Sequence, residues 1–468
     1  MNRPHLKQAT RHPAGACYTA CRYPPGSRHG RAQPMPITEA DLIALYNDLD
    51  VRKPLDDPEH NPRYVPRLAD MRGGDPVERL YQHIKLSNSS SASLLTGFRG
   101  NGKTTELFRL KARLERDGAH VIYVDLDNYV HDAQPLDMTE LLLALIAALS
   151  EQLRQHHALE ALSTTYWDRL VRFLNSTITF SEMRLSTDFL GSGAKFGVKL
   201  SQEPEFKTLI RQRLTNHISS LHQQANDFIT EAVSQLRQRS GNPNLKVVIL
   251  VDSLEHIRSP ANDTQSVHQS IIETFSTHGD RLYFGAAHMV YTVPPILALY
   301  ANSTGLLVMW PNIHVRDYGD DTTRNDKGLA LMRQVLDKRF ARWPELIPPP
   351  LLDEIAWHSG GDLRDFFRML QELLVRADMS DDTIPPFKPE TVQHTLAAFR
   401  NQLRLTLTED LRARMAIIRH NKQLSVLDDS DYSPTLRLLD ANLVMNYQNG
   451  EPWFDIHPLL LNDVSPMN

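Results

Sequence analysis

The sequence predicts an α/β fold: a parallel-sheet core with a helical insertion, then an α-helical region and a helix–hairpin unit. Three observations predict it. Short apolar runs, such as Val121–Leu126 and Val247–Val251, alternate with longer stretches of helical periodicity, the pattern of a buried parallel sheet covered by helices. Asp326–Arg342 and Leu351–Ala377 then keep helical spacing. Near the end, the turn Gln448-Asn449-Gly450 separates Leu443–Tyr447 from Trp453–Ile456, and Asn-Gly between two alternating segments is the strongest short hairpin signal.

Composition narrows the classes. A chain of 468 residues has room for two to four domains, and 23% charged with 41% hydrophobic residues reads as ordinary soluble protein. The net charge of −5 gives no global basic field to attract nucleic acid. The longest apolar stretch, Leu141–Leu149, falls far short of the about 18 residues a membrane span needs, so no membrane role is expected. The only cysteines, Cys17 and Cys21, lie in the N-terminal tail; their spacing alone is a weak metal or redox signal, and a chain otherwise free of cysteine fits a cytoplasmic location.

Residues 1–36 carry many Arg, His, Pro and Gly residues, lack the apolar core of a secretion signal, and are expected to be disordered, with Met35 an alternative start. Residues 37–90 should hold a helix near Thr38–Asp48, an extended linker over 51–75, and a helix opened by Gly74-Asp75-Pro76-Val77.

Ser93–Glu106 organises the chain, reading Ser-Leu-Leu-Thr-Gly-Phe-Arg-Gly-Asn-Gly-Lys-Thr-Thr-Glu. Gly97, Gly102, Lys103 and Thr104 satisfy GxxxxGK[ST]. Leu94-Leu95 precedes the loop as a strand end, and Leu107, Leu110 and Leu114 follow at helical spacing. Glycines let backbone N–H groups curl round a phosphate, and the next helix aims its positive end at it. Gly97, Gly100, Asn101, Gly102, Lys103, Thr104 and Thr105 are therefore the expected nucleotide-binding residues. Lys103 would sit between the β- and γ-phosphates of ATP, and the Thr104 hydroxyl would ligate Mg²⁺. A Gly-rich turn before a solvated lysine is the competing reading.

Val121–Leu126 is the next strand and Thr139–Arg154 an apolar helix. Residues 160–245 interrupt the alternation. Ile178–Leu200 has a period-two tendency around Gly191, Gly193 and Gly197 and is expected to form a β-hairpin. Glu203–Ser240 reads as one long helix, with Phe206, Ile210, Leu214, Ile218, Leu221, Phe228, Ala232 and Leu236 in step. It would span roughly 50 Å and is expected to project as a partner surface, against the reading of a core helix. Its Arg211, Arg213, Arg237 and Arg239 read as solvated positions.

Val247–Val251 leads into Asp252-Ser253-Leu254-Glu255. Asp252, at the end of a strand buried on both faces, can reach Mg²⁺ through its waters, or cap a helix instead. Glu255 is placed to orient or deprotonate an attacking water, while His256 reads as a surface residue. His288–Val293 is the next strand. Thr292, polar at its end, is the candidate γ-phosphate sensor, or simply a β-branched strand residue. Gly305–Trp310 gives a fifth strand.

Phosphate loop, long insertion, hhhhDxxE, polar strand end and short fifth strand together resemble the AAA+/STAND branch of P-loop NTPases. Only the two Walker motifs are specific, over a resemblance that spans roughly residues 60–460. The resemblance implies a Mg²⁺-dependent ATPase with a helical lid and a C-terminal winged helix. It gives the organisation as tail (1–36), N-terminal helix and linker (37–90), P-loop ATPase core (91–320, insertion at 160–245), helical lid (321–388) and winged helix (389–468). It implies that Tyr64 and Val65 edge the adenine, unless this stretch is plain linker. Ser359-Gly360-Gly361-Asp362-Leu363-Arg364 resembles a lid sensor in which Arg364 reaches the γ-phosphate, with Arg368 as the alternative; Leu363 stands where the family often has Pro. His457, in Asp455-Ile456-His457-Pro458, stands at the place of a motif that touches the β-phosphate of ADP, with Pro458 replacing that motif's Asp.

The sequence shows no metal-ligand cluster, no nucleophile elbow and no internal repeats. A trans-acting arginine is not evident; Arg281, Arg339 and Arg342 are candidates. Three roles follow from the resemblance: a nucleotide-dependent switch or homo-oligomerising subunit with its effector on another chain, for instance in antiphage defence; a DNA-dependent loader; and a non-hydrolysing scaffold holding ADP. Only Arg437 supplies evident basic content on the helix before the wing, which weakens the DNA role.

Overall fold

A computed structural model describes residues 36–131, 133–157, 159–177, 193–257, 264–300, 305–319, 323–379, 385–424 and 429–464. Five strands build one parallel sheet: β1 (Ser91–Thr96), β2 (His120–Asp125), β3 (Val247–Asp252), β4 (His288–Val293) and β5 (Leu306–Met309), in the order β2-β3-β4-β1-β5. β1, β3 and β4 are buried along their whole length; β3 shows this as an apolar run, Val247–Val251, while β1 and β4 bury Ser91, Ser93, Thr96, His288 and Thr292 among their apolar residues. The order puts the ends of β3, β4 and β1 side by side. Leu95 pairs with Thr292 and Val251 with Tyr291, so Asp252, Thr292 and the loop after β1 meet at one edge.

Helix α1 (Glu39–Asp48) starts at Thr38, whose side chain and Asp41 cap each other reciprocally. Helix α2 (Pro76–Leu86) starts at Asp75, which accepts from the Val77 and Glu78 amides. With α3 (Lys103–Arg116) it covers one sheet face, packing Val77, Leu80, Leu107 and Leu110 on Leu95, Val248 and Val290. The other face carries α4 (Met138–His156), α5 (Glu160–Thr177), α6 (Gly193–Gln202), α7 (Pro204–Leu214), α8 (Ile218–Ser240) and α9 (Thr264–Ile272).

Two expectations fail in the insertion. Residues 193–200 belong to helix α6, not to a hairpin, and 178–192 lie outside the described residues. The glycines serve close packing rather than turns: a side chain at Gly193 would strike the Ala147 carbonyl, and one at Gly197 the Tyr129 ring. The long helix is two helices, α7 and α8, joined by a 3₁₀ turn at Thr215–His217. It does not project. Phe206, Ile210, Leu214, Leu221 and Phe228 are buried in the main core with α4, which gives the apolar stripe a surface to cover.

The lid comprises α10 (Asp326–Asp337), α11 (Trp343–Leu346), α12 (Pro349–His358), α13 (Leu363–Met379) and α14 (Pro389–Arg404). Val392, Leu396 and Phe399 of α14 share the lid's apolar cluster, as do Leu45 and Leu49 of α1, so the lid extends past the expected boundary at 388 and includes the N-terminal helix. The linker over 51–75 is not simply extended; Pro66–Met71 form a 3₁₀ turn. The tail, with Cys17, Cys21 and Met35, lies outside the described residues.

The C-terminal unit comprises α15 (Glu409–Asn421), α16 (Asp429–Asp440) and the antiparallel hairpin β6 (Val444–Gln448) and β7 (Pro452–Ile456). Leu436, Leu438 and Leu439 of α16 share an apolar cluster with Val267 and Ile271 of α9. On the other side the hairpin docks on the segment after β5. Asn312 N donates to Asn446 O (2.8 Å), Gln448 N to His314 Nε2 (2.8 Å), and Tyr447 OH to Gly360 O (2.8 Å). Arg316 pairs with Asp455, which also accepts from Lys422 Nζ (2.5 Å).

His314 makes this dock acid-sensitive. Burial pulls its imidazole down to about 4, with Asp317 opposing and Arg72 adding to the shift. The Gln448 amide needs the Nε2 lone pair, so the fold holds the neutral ring. A depressed folded pKa contributes stability in full above the unfolded value of about 6.5 and loses it as pH falls through the folded one. The urea midpoint should therefore drop between pH 7 and pH 5, and drop less in His314→Gln. His157 and His288, also held near 4 by burial, act with the same sign. An identical pH slope in the variant would remove His314 from the account.

Candidate nucleotide site

The loop between β1 and α3 keeps its shape through two glycines with left-handed backbone, Gly100 (φ 82°) and Gly102 (φ 88°). Gly97 lies so close to Trp310 that a side chain there would strike the Trp310 carbonyl. Asn101 is fully buried. Its amide is turned away from any ligand: Nδ2 donates to Asn312 Oδ1 (3.0 Å), while Oδ1 accepts from Arg72 (3.1 Å). Its carbonyl accepts from Trp310 Nε1 (2.7 Å). Arg72 also donates to the Pro311 carbonyl and lies over the Trp310 ring at 4.4 Å. Burial pulls this guanidinium down to about 10. Arg72 and Asn312 thus brace the loop from behind, and the sequence reading missed both. The Gly73-Gly74 pair beside Arg72, where Gly73 passes against Gln448, is the one local trace of that close passage.

Lys103 is 2% exposed. Its Nζ donates to Gly97 O (3.0 Å) and Phe98 O (2.7 Å) and stands 3.2 Å from Glu255 Oε1. Glu255 reaches this place from a 3₁₀ turn after β3, entered through Ser253 in the left-handed region (φ 76°). Burial pushes the Glu255 carboxyl up, but Lys103, then His256 and the Thr292 hydroxyl, outweigh it and hold it below the ordinary glutamate value. Burial and the Glu255 charge push Asp252 up to about 6, against donors on Thr104, the Ser253 amide and Tyr123, whose hydroxyl lies 2.9 Å from Oδ2. Asp252 Oδ1, Glu255 Oε2 and Thr292 Oγ1 are buried without a well-formed hydrogen bond among the described residues. These three oxygens, with the Thr104 hydroxyl, are a donor set that fits a hydrated Mg²⁺ and a water. Among the described residues no three His, Cys, Asp or Glu side chains form an all-protein metal cage.

A cavity of about 740 Å³ opens over the loop, within the usual range for a small-molecule site. Gly100, Asn101, Gly102, Lys103, Thr104, Thr105 and Glu255 line it, with Tyr64 and Val65 on one side and Leu363, Arg364 and Phe367 of the lid on another. Asp252, Thr292 and Gly97 do not line it. Tyr64 is fixed by its hydroxyl on Glu106 (2.9 Å), and Glu106 and Asp75 both hold Arg109 (2.6 Å each). The Thr105 hydroxyl accepts from the Leu55 amide (3.0 Å), which ties the linker to α3. Arg364 lies directly on the phosphate loop: a side chain at Gly100 would collide with its guanidinium. Arg368 faces Asp365 instead (3.5 Å) and does not line the cavity. Arg339, a candidate for trans action, lines its own chain's cavity, 4.4 Å over the Phe367 ring.

His457 does not line the cavity, contrary to the expectation of a β-phosphate contact. It is fully buried; Nδ1 accepts from the Leu459 amide (3.2 Å), and Nε2 faces Asp365 Oδ2 (3.4 Å). The chain after β7 turns at Pro458 and aims the ring at the lid helix, one residue from Arg364.

The sheet order, the glycine loop on β1 and the acidic end of β3 define a P-loop NTPase fold, with a bundle of lid helices beside the loop. No protein-family model and no curated protein matches the sequence. Among solved structures the chain is similar to a Walker-type ATPase of Pyrococcus abyssi (13% identity, 88% of this chain and 98% of that one, TM-score 0.39). It is also similar to the Aeropyrum pernix ORC2 protein in its ADPNP-ADP complexes (12%, 83% and 90%, TM-score 0.36) and to Drosophila ORC bound to DNA (12%, 92% and 93%, TM-score 0.37). No helix among the described residues is long and apolar enough to cross a membrane.

Proposed function

We infer that the chain is an ATP-binding and ATP-hydrolysing switch whose lid and C-terminal unit report the nucleotide state. One observation carries this reading: Arg364 lies on Gly100 of the phosphate loop, while Gly360, in the turn that starts the same helix, accepts from Tyr447 of the hairpin. A phosphate that displaces or engages Arg364 would act on the element the C-terminal unit grips.

For hydrolysis, water attacks the γ-phosphorus, the bond to the bridging oxygen breaks, its electron pair leaves with ADP, and the proton passes toward Glu255. Glu255 suits this role because Lys103 and its neighbours keep it ionised. Thr104 and Asp252 would hold Mg²⁺, which when bound supplies neutralisation of the phosphate charge. The backbone N–H groups of the loop and Arg364 hold the leaving and transferred phosphates.

The expected partner is a second copy or a separate effector chain. The DNA role has little support: α16 spends its apolar face on α9, and Arg437 pairs with Asp410 (3.1 Å). Mass photometry with ADP, with ATP, and with ATP on Glu255→Gln, each with and without duplex DNA, tests the switch. A larger species that needs ATP and persists in Glu255→Gln is expected. One mass in all conditions with retained ADP would leave only a scaffold, and assembly that needs DNA would make the chain a loader.

A further inference from the structure

The cavity over the phosphate loop is rich in cations, and nearly all of them are already engaged. Lys103 has three N–H donors and three acceptors, Gly97 O, Phe98 O and Glu255 Oε1. Arg72 is bound to Asn101, Pro311 and the Trp310 face. Arg63 pairs with Asp48 (2.5 Å), and Arg52 and Lys53 pair with Asp50 (2.9 and 4.0 Å). Arg339 donates to Val335 O (2.9 Å) and covers Phe367. Arg364 lies on Gly100 and has the carboxylates of Asp362 and Asp365 beside it.

Arg99 differs. It lines the same cavity, is only partly exposed, and makes no hydrogen bond, ion pair or ring contact among the described residues. It stands within the phosphate loop itself, next to Gly100. That glycine has the left-handed backbone (φ 82°) and carries the Arg364 guanidinium, so Arg99 and Arg364 flank one turn of the loop. An uncommitted guanidinium in a cavity shaped for a polyanion is poised for charge-assisted bonds to terminal phosphate oxygens.

We propose that Arg99 is a catalytic residue acting in cis, a built-in arginine of the phosphate loop that grips the γ-phosphate of ATP bound to its own chain. This rests on the nucleotide reading above. Arg99 moves no proton. It neutralises charge on the γ-phosphate oxygens while the bond to the bridging oxygen breaks and Glu255 takes the water's proton. The site then needs no arginine from a second copy, and ADP, which lacks the γ-phosphate, gains nothing from it.

The test separates ATP from ADP without relying on turnover. Full-length Glu255→Gln, with and without Arg99→Ala, is titrated with ADP and with ATP by displacement of a fluorescent ADP analogue. Arg99→Ala should weaken ATP at least about tenfold and leave ADP within about threefold, as expected for loss of a charge-assisted contact. Arg99→Lys should recover part of the loss. Equal ATP affinity in both chains would overturn the proposal. In the otherwise wild-type chain, Arg99→Ala should lower kcat, and mixing it with Glu255→Gln chains should restore no turnover. Restored turnover would mean that Arg99 serves a neighbour's site, and the cis assignment would fall. If the wild-type chain binds no ADP, the nucleotide reading fails and this proposal with it. ADP binding with unchanged ATP affinity removes Arg99 alone.

Discussion

Glu255→Gln is expected to lower ATP turnover by about a hundredfold or more, the scale of losing a positioned general base. Nucleotide binding should survive, and folding should change little. The reason lies in the pair with Lys103. A neutral amide oxygen still accepts from the ammonium, which also keeps Gly97 O and Phe98 O, so no buried cation is orphaned. Lys103 is also released from an ionised partner and becomes freer to meet a phosphate, so ATP affinity should stay level or rise. Phosphate release under single-turnover conditions and displacement of a fluorescent ADP analogue measure the two effects. Unchanged turnover would mean that water is activated elsewhere or not at all, and the scaffold role would then stand first.

The second large effect concerns the dock of the C-terminal unit. Asp455→Ala is expected to destabilise the chain by about 3–5 kcal/mol, because it leaves buried cations without their counter-charge. Arg316 and Asp455 are each 1% exposed, and Lys422 sits beside them. The rings of Tyr447 and Trp453, 5.8 and 6.0 Å from the Arg316 guanidinium, cannot replace a carboxylate. The double substitution Arg316→Met with Asp455→Leu should recover much of the loss, since apolar groups of similar size carry no desolvation cost. Urea unfolding followed by tryptophan fluorescence reports both, with Trp453 and Trp310 near the dock. A loss under about 1 kcal/mol for Asp455→Ala would show that water reaches the cluster and that the dock is loose.

The parts of the site legible in the sequence are those with local chemical demands. The phosphate loop needs glycines at fixed spacing, a lysine and a hydroxyl, and its flanking strand and helix announce themselves by period. The acidic end of β3 is legible because a doubly buried strand tolerates no charge before its end. Arg72 and Asn312 were not legible. Arg72 meets Asn101 and Pro311 across 29 and 239 residues of chain, and nothing local marks an arginine that will be buried. The role of Gly193 and Gly197 is not legible in the sequence, because a glycine that permits a turn and one that permits close helix packing look alike in one dimension. The periodicity of 203–240 shows an apolar stripe, but it says neither that a 3₁₀ turn at Thr215–His217 divides the stretch into two helices nor that α4 covers the stripe.

By itself, then, the sequence determined the strands, the phosphate loop, the acidic strand end, the lid helices and the closing hairpin, since each follows from backbone preference and neighbours within a few residues. Tertiary structure decided which cations remain uncommitted in the cavity, that His457 turns to Asp365 rather than to a phosphate, and that Arg364 rests on Gly100. Those outcomes depend on desolvation and on pairing between groups far apart in the chain. Only the closed fold sets how much water each charge loses and which opposite charge lies within reach.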